Sequence, residues 1–309
     1  MPDSPISATP YEVLGVSASA SQDELRRAYR RLLRETHPDK GGNPARFIAV
    51  QAAWKRVGTP ADRAAYGRGR AHRTEQSHSW ATPSTRPRQQ DTRPRARSYG
   101  HPGGWRRERY LTLMREWVGR GEPLDDPYNP ALVRSAPRDI RHILADALAE
   151  EATARSLSAL GIGYTVWHDV ATGEPGVRPG EKIDHVVLGP TGLIAILSED
   201  YGDAVRVRRG ELIGEALADE RPMHDLAQRA KVLARSLRVR FTGLVIVLPD
   251  DALDQPMTVL GSVRGAATVV VRQSHLPALM RSGITDSRPI GGNELFDVRT
   301  KLQAGIRFV

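Results

Sequence analysis

The sequence predicts a multidomain chain in which an all-α helical hairpin is followed by a disordered linker and then by an α/β domain with a mixed sheet. Three observations predict this order. Two amphipathic helical patterns flank a polar loop near the amino terminus, a stretch rich in Arg, Pro, Ser and Gln follows, and strand-like apolar runs then alternate with helical patterns. We place the segments at residues 1–67, 68–104, 105–144 (a helical connector) and 145–309.

Composition excludes several classes of protein. The 309 residues include no Cys, which excludes a disulfide framework, a thiolate zinc site and a cysteine nucleophile. The first residues lack the basic-then-apolar order of a signal peptide. The longest apolar runs, such as Leu244–Leu248, are far shorter than the ~20 residues that span a bilayer. We therefore expect a soluble cytoplasmic protein with no membrane partner.

The net charge of +9 lies in the first third of the chain. Residues 68–100 hold eight Arg and two acidic residues, whereas residues 101–309 hold equal numbers of both signs. The linker has no apolar periodicity, and its prolines interrupt any helix, so it cannot bury enough surface to offset its ordering entropy. We interpret it as a solvated spacer. The alternative is a weak electrostatic contact with nucleic acid or an acidic protein.

The amino-terminal pattern predicts a helical hairpin. Thr9 and Pro10 are typical of a helix start, and Ser21 with Glu24 forms a capping box at the start of the next helix. One face of that helix is apolar, with Leu25, Ala28, Tyr29, Leu32 and Leu33 at helical spacing. The other face carries five arginines: Arg26, Arg27, Arg30, Arg31 and Arg34. A polar loop separates it from a second amphipathic helix that starts near Pro44.

The motifs of this hairpin occur in a recognisable order: Tyr11-x-x-Leu14-Gly15-Val16, Arg27-Ala28-Tyr29-Arg30-Arg31-Leu32, His37-Pro38-Asp39-Lys40, Trp54 and Arg63-x-x-Tyr66. The region resembles the J-domain of the DnaJ family. It departs from the family pattern only near its end, at Gly58-Thr59-Pro60 and Gly67.

The J-domain resemblance implies a protein partner rather than catalysis by this chain. It implies that the loop and the arginine face dock onto a DnaK-type heat-shock chaperone and stimulate its ATP hydrolysis. The residues implied in this contact are His37, Pro38, Asp39, Lys40, Arg26, Arg27, Arg30 and Arg34. Pro38 restricts the loop backbone, and the arginines give a cationic strip suited to an acidic surface. The sequence lacks the Gly/Phe-rich segment and the cysteine zinc module of larger J-proteins, so we expect its other domain to supply location or cargo.

The rest of the chain predicts alternating helices and strands. A helix runs from about Arg138 towards Leu160, where Gly161 ends it. The predicted strands and helices after it are Tyr164–Val170, Lys182–Leu188, Leu193–Leu197, a hairpin from Val205–Val207 through Arg209-Gly210 to Leu212, helix Met223–Arg238, strands Gly243–Leu248 and Ala267–Val271, and helices Leu276–Arg281 and Asn293–Gly305.

Part of this region, about residues 145–272, resembles the nuclease-related domain, a member of the PD-(D/E)xK nuclease-like group. The residues that carry the resemblance are Glu150-Glu151-x-Thr153, Lys182-Ile183-Asp184-His185-Val186-Val187-x-Gly189-Pro190-x-Gly192 and Gln228-x-x-Lys231. In active relatives the next strand carries an acid, a spacer and a lysine, and the acids hold Mg²⁺ through hard oxygen ligands.

The catalytic motif is degenerate in this chain. Leu197 falls where the acid should be, and Glu199 falls where the lysine should be. Leucine cannot ligate a metal, and glutamate has the wrong sign to stabilise a negative transition state. We take Glu151, Asp184, Glu199 and Lys231 as the nuclease-like positions that remain, and we expect no bound metal and no cofactor.

The two resemblances lead to two alternative functions, which belong to different classes. The first is a J-domain co-chaperone whose inactive nuclease-like domain binds an unknown client, either a protein or a nucleic acid, or determines location. The second is a metal-dependent DNA or RNA nuclease with an attached J-domain, using Mg²⁺; Glu199 or Asp200 would be a displaced ligand, and Lys182 or Lys231 a relocated lysine. The balanced charge of residues 101–309 disfavours duplex binding. A third possibility is that the basic linker tethers a chaperone to nucleic acid.

Overall fold

A computed structural model describes residues 4–66, 94–119, 123–173, 182–217, 220–284 and 290–309. The described residues form two compact units, one within Ser7–Ser84 and one within Met1–Ile6 together with Thr85–Val309. Residues 68–93 of the predicted linker lie outside the described residues. No helix in the described part of the chain combines the length and apolar character that crossing a membrane requires.

The first unit is all-α, as the sequence predicts. Its helices are α1 (Pro10–Val13), α2 (Gln22–Glu35), α3 (Pro44–Val57) and a helix through residues 60–66 (α4), with a 3₁₀ turn at Pro38–Lys40.

Both predicted capping arrangements of this unit are confirmed. The Ser21 hydroxyl accepts a hydrogen bond from the Glu24 amide at 3.3 Å, and the Ser21 amide donates to the Glu24 carboxylate at 2.7 Å. Thr9 and Glu12 form the same reciprocal pair at the start of α1. These bonds satisfy backbone amides that a helix start leaves without partners.

The core of the first unit lies between α1, α2 and α3. Leu14, Leu25, Val50 and Val57 are fully buried there. At its edge the rings of Tyr29 and Trp54 stack, with centroids 4.4 Å apart and planes 8° apart. The apolar stripe of α2 is therefore held against α3, which leaves the arginine face of α2 free for other contacts.

The second unit is an α/β domain with a mixed sheet, as predicted. Its helices are α5 (Gly104–Val118), α6 (Pro130–Ser135), α7 (Arg138–Ser158), α8 (Pro222–Leu237), α9 (Leu276–Ser282) and α10 (Gly292–Gly305). Its strands are β1 (Arg97–Tyr99), β2 (Thr165–Ala171), β3 (Lys182–Gly189), β4 (Gly192–Ser198), β5 (Arg206–Arg208), β6 (Glu211–Ile213), β7 (Gly243–Leu248), β8 (Met257–Val263) and β9 (Ala266–Arg272).

Seven strands form one sheet in the order β1-β2-β3-β4-β7-β9-β8, and β5 with β6 forms a separate hairpin. Strands β2, β3 and β4 are antiparallel neighbours, whereas β4, β7 and β9 are parallel. Helices cover both faces: α8 and α10 pack on one side, and α7 and α9 pack on the other. Strand β7 is therefore apolar along its whole length, as the run Gly243–Leu248 indicates.

The structure differs from the predicted boundaries in two places. The predicted linker runs to residue 104, but Arg97–Tyr99 forms β1, which pairs in parallel with β2. All three side chains of β1 are exposed, so the strand has no apolar pattern for a sequence analysis to detect. The predicted boundary at 144/145 falls inside α7, so the connector and the α/β domain share one helix.

Candidate functional site

The first candidate site is the loop between α2 and α3. His37 caps the 3₁₀ turn: its Nδ1 accepts a hydrogen bond from the Asp39 amide at 3.2 Å. Gly41 closes the turn with φ of +78°, a left-handed conformation that favours glycine, and its amide donates to the Pro38 carbonyl at 2.9 Å. The loop therefore holds a defined shape through its own hydrogen bonds.

Contacts with both helices orient the loop. The His37 ring lies edge-on to the ring of Phe47 in α3, with centroids 5.1 Å apart. The Thr36 hydroxyl donates to the Leu32 carbonyl at the end of α2 at 2.8 Å. The side chain of Asp39 remains 87% exposed and that of His37 41% exposed. The loop thus presents a fixed imidazole beside an open carboxylate.

The arginine face of α2 lies next to this loop along the same helix. Arg26, Arg27, Arg30, Arg31 and Arg34 are all exposed. Two of these arginines pair with carboxylates of the same helix. Nη1 of Arg26 lies 3.9 Å from Oδ1 of Asp23, and Nε of Arg31 lies 3.8 Å from Oε1 of Glu35. Such exposed pairs contribute little to stability, so this charge remains available to a partner. The side chain of Lys40 lies outside the described part of the chain.

The second candidate site is a buried ionic cluster in the α/β domain, and Lys182 at the start of β3 is its first centre. Its Nζ donates to Oε2 of Glu150 and to Oδ1 of Asp169, both at 2.6 Å, and lies 2.9 Å from Oδ1 of Asp184. The Lys182 side chain is 2% exposed. One ammonium therefore contacts three carboxylates from α7, β2 and β3.

Arg106 of α5 is the second centre of the ionic cluster. Its Nε lies 2.5 Å from Oε1 of Glu150, its Nη2 donates to Oε1 of Glu199 at 2.8 Å, and its Nη1 pairs with Asp146. Glu150 thus links the two cations, with one oxygen on Arg106 and the other on Lys182.

Backbone amides complete the ionic cluster. The amide of Ser198 donates to Oδ2 of Asp184 at 2.8 Å, and the amide of Gly103 donates to Oε2 of Glu150 at 3.1 Å. Gly103 has φ of +73°, and a Cβ there would lie 2.8 Å from the Ala147 carbonyl oxygen of α7. The start of α5 can therefore approach α7 closely only because this residue is glycine.

The charges in the ionic cluster shift one another's pKa values. Burial by itself lowers the pKa of Lys182, but Asp184 and Glu150 outweigh this effect and raise it above its usual value. Burial by itself raises the pKa of Asp184, but Lys182 and Arg106 lower it to about 2. Burial and the charge of Asp184 raise the pKa of Glu150 to about 8. Burial also raises the pKa of Asp146 well above its usual range.

The structure brings some of the predicted nuclease-like residues together and separates others. Asp184 and Glu199 belong to the ionic cluster. Glu151 lies outside it and pairs with Arg107, whose Nε is 2.7 Å from its Oε1. Lys231 of α8 also lies outside, beside Arg264 and Arg235, whose charges lower its pKa.

Four cluster residues were absent from the sequence-based set of nuclease-like positions, namely Arg106, Asp146, Glu150 and Asp169. Glu150 is fully buried, and its burial could have been inferred because it continues the spacing of the buried residues Leu144 and Ala147 on α7. No sequence pattern marked Arg106 as a site residue, because it lies in the predicted connector and matches no motif.

A cavity of about 320 Å³ borders the ionic cluster, and its lining includes Trp105, Arg106, Leu197, Tyr201, Glu220 and Arg229. His142, Asp146 and Glu199 each offer one ligand atom here, and these atoms lie within 4.8 Å of one another. The Mg²⁺ that a nuclease-like fold implies nevertheless does not fit the residues present. Asp146, Glu150, Asp184 and Glu199 all contact Arg106 or Lys182, and Leu197 offers no ligand atom.

The fold and these two sites define a chain that joins a helical chaperone-type module to a nuclease-like α/β domain. Comparison with known families agrees: residues 9–67 match the DnaJ domain, and residues 145–248 match the nuclease-related domain. The chain therefore contains a J-domain, which the His-Pro-Asp loop belongs to, and a nuclease-related domain, which contains most of the ionic cluster.

Individual chaperone relatives match a short part of the chain. A "DnaJ protein homolog" of Cucumis sativus is 46% identical over 56 residues, which cover 18% of this chain and 14% of that protein. "Chaperone protein dnaJ A6" of Oryza sativa subsp. japonica gives the same identity and coverage. A "Chaperone protein DnaJ" of Gloeothece citriformis is 46% identical over 61 residues, covering 19% of this chain and 16% of that protein. The match thus spans about one seventh of these relatives' length.

Proposed function

We propose that the chain is a co-chaperone that binds a DnaK-type heat-shock chaperone through its J-domain and stimulates ATP hydrolysis by that partner. The observation that carries this proposal is the His37 loop, whose own hydrogen bonds fix it at the end of an exposed arginine face. The DnaJ match over residues 9–67 and the chaperone names of the relatives support it.

The geometry suits docking onto an acidic protein surface. A loop that already holds its bound shape loses little conformational entropy on binding. The arginines of α2 accelerate encounter with an acidic patch, and that contribution weakens with added salt. The proposed contact residues are His37, Pro38, Asp39 and Lys40 in the loop, with Arg26, Arg27, Arg30 and Arg34 on the helix.

We assign the nuclease-related domain a non-catalytic role, as a module that binds a client protein or determines location. Leu197 stands where relatives carry a metal-binding acid, and it is buried on β4. The acids that surround it are paired with Lys182 and Arg106.

An ATPase assay tests the co-chaperone proposal. The full-length chain is added to the DnaK-type chaperone of the same organism, and steady-state ATP hydrolysis is measured. The chain is expected to accelerate hydrolysis, and His37→Gln is expected to abolish the acceleration while leaving circular dichroism unchanged. His224→Gln is the matched control, since His224 is exposed on α8 of the other domain. Equal stimulation by His37→Gln would refute the proposal.

A second candidate function, metal-dependent cleavage of DNA or RNA, is favoured by one observation. Lys182 lies with Glu150 and Asp184, which is an arrangement of one lysine and two acids like that expected of the nuclease group. Plasmid and linear DNA incubated with Mg²⁺ or Mn²⁺ would test it. Cleavage that disappears in Asp184→Ala would establish this function; no cleavage by either protein would eliminate it.

The basic linker adds a separate proposal, namely weak contact with nucleic acid. Binding with a steep salt dependence that is lost when residues 68–100 are deleted would support it. Absence of binding by the full-length chain would exclude it.

A further inference from the structure

We infer that Lys182 and Arg106 are built-in cations that take the place of a divalent metal ion in the acidic centre of the nuclease-related domain. The inference concerns the α/β domain alone, and it stands whether or not the J-domain acts on a chaperone. It predicts that the protein folds without metal and that its acids become a metal site when a cation is removed.

The strand register shows how the charges are arranged. Strands β3 and β4 pair from Gly189–Gly192 to His185–Ile196; beyond the last pair, Lys182 begins β3 and Glu199 directly follows β4. Glu199 occupies the position where an active relative would carry its lysine. In this chain a carboxylate stands at position 199, and the ammonium of Lys182 contacts the acidic centre instead.

The two cations contact the acidic side chains and supply positive charge to them, as a bound metal ion would. Lys182 contacts Glu150, Asp169 and Asp184, while Arg106 contacts Asp146, Glu150 and Glu199. Five carboxyl groups therefore share two fixed positive charges, and each of the five is within ion-pairing distance of at least one of them. A metal ion of charge two would supply the same total.

Removal of either cation has a definite physical consequence. A buried carboxylate without a counter-charge is strongly destabilising, so the acids would recruit a proton or another cation. Mn²⁺ and Mg²⁺ prefer carboxylate oxygens, and Lys182→Met would leave Glu150, Asp169 and Asp184 around the emptied position.

The test is thermal unfolding of the full-length chain in EDTA and in Mn²⁺, together with calorimetric titration of Mn²⁺. The wild type is expected to show the same midpoint in both conditions. Lys182→Met is expected to have a lower midpoint in EDTA, and Mn²⁺ at about 100 times its Kd should raise that midpoint by roughly 5–11 °C. Adding Asp184→Asn to Lys182→Met should remove this rise. Lys231→Met is the control, because Lys231 lies outside the cluster.

If Lys182→Met does not fold in EDTA, its yield of folded protein on dilution from denaturant is measured with and without Mn²⁺. Refolding only with Mn²⁺ supports the inference, and refolding that is equally poor in both conditions contradicts it. A wild-type midpoint that rises with Mn²⁺, and stops rising in Asp184→Asn, would also overturn it. None of these outcomes depends on ATPase stimulation.

Discussion

The guanidinium of Arg106 lies 2.8 Å from the carboxylate of Glu199, so an arginine of α5 pairs with the residue that stands at the expected lysine position of the nuclease resemblance. The pair is largely buried, with 13% and 11% of the two side chains exposed. Within the ionic cluster, the acid at position 199 is thus paired with a cation.

Restoring the family's lysine should therefore destabilise the domain. Glu199→Lys removes one partner of Arg106 and places a third cation beside Arg106 and Lys182. Breaking a buried ion pair costs about 3–5 kcal/mol, and we expect a loss of this size in the free energy of unfolding of the α/β domain. Denaturant unfolding measures it. Glu211→Lys, on the exposed strand β6, is the control and should change stability by less than about 0.5 kcal/mol. Equal losses in the free energy of unfolding for the two substitutions would contradict the claim that Glu199 stabilises the domain by pairing with Arg106.

The buried pair His168 and His185 makes the α/β domain sensitive to acid. Their Nδ1 atoms are 2.7 Å apart, so at least one ring must be neutral to accept this hydrogen bond. Burial lowers the pKa of His168 to about 4, and it lowers the pKa of His185 well below its usual value. Both histidines bind protons more readily in the unfolded state, so they lower stability as the pH falls from about 6.5 towards 4.

A comparison with His168→Gln isolates this effect from the acids of the ionic cluster. At pH 7.5 the wild type should be the more stable protein, and its advantage should shrink by about 2–3 kcal/mol by pH 4.5. Denaturant unfolding across this range measures the difference. An advantage that stays constant with pH would show that His168 does not titrate on unfolding.

Packing of the J-domain depends on Leu25, which is fully buried between the helices. Leu25→Ala should cost about 2–5 kcal/mol, a large share of the stability of so small a domain. We expect it to lower helical content and ATPase stimulation together, whereas His37→Gln should affect stimulation alone. Ile48→Ala is the control because Ile48 is 64% exposed on α3. Loss of stimulation without loss of helical signal in Leu25→Ala would assign this residue to the interface rather than to the core.

The arginine face should determine how salt affects chaperone binding. The double variant Arg27→Ala, Arg30→Ala removes two exposed charges from α2 without disturbing its apolar stripe. It should bind the chaperone more slowly and with a weaker dependence on ionic strength, since rim charges act mainly on association. Surface plasmon resonance at several salt concentrations measures both rates. Arg206→Ala, Arg208→Ala on strand β5 should bind like the wild type, and a similar loss in both double variants would exclude a specific role for α2.

The sequence correctly predicted the helix starts and buried strands that depend on local residue patterns. Ser21 and Glu24 mark a helix start by their spacing alone, and β7 at Gly243–Leu248 is a continuous apolar run because both of its faces are buried. The edge strands carry no such pattern. Arg97–Tyr99 is exposed on every side chain, and β8 has a register shift between Val259 and Gly261.

The ionic cluster was only partly predictable for a different reason. Asp184 could be found because it lies in a distinctive string, but the cluster members Glu150, Asp169 and Arg106 come from three other elements. The helical spacing of Leu144 and Ala147 favours Glu150 over Glu151 for the buried face of α7, but that spacing does not show which cations Glu150 contacts. Arg106 is far from the motif in sequence, and only the close approach of α5 to α7 brings it to the acids.

Single-turnover ATP hydrolysis tests the central claim most directly. The DnaK-type chaperone of the same organism is loaded with ATP, and hydrolysis is followed after addition of wild type, His37→Gln or His224→Gln. Acceleration by wild type and by His224→Gln, with none by folded His37→Gln, is the result we predict. Hydrolysis at the unstimulated rate with the wild type, or equal acceleration by His37→Gln, would contradict the claim that this chain acts through its His-Pro-Asp loop.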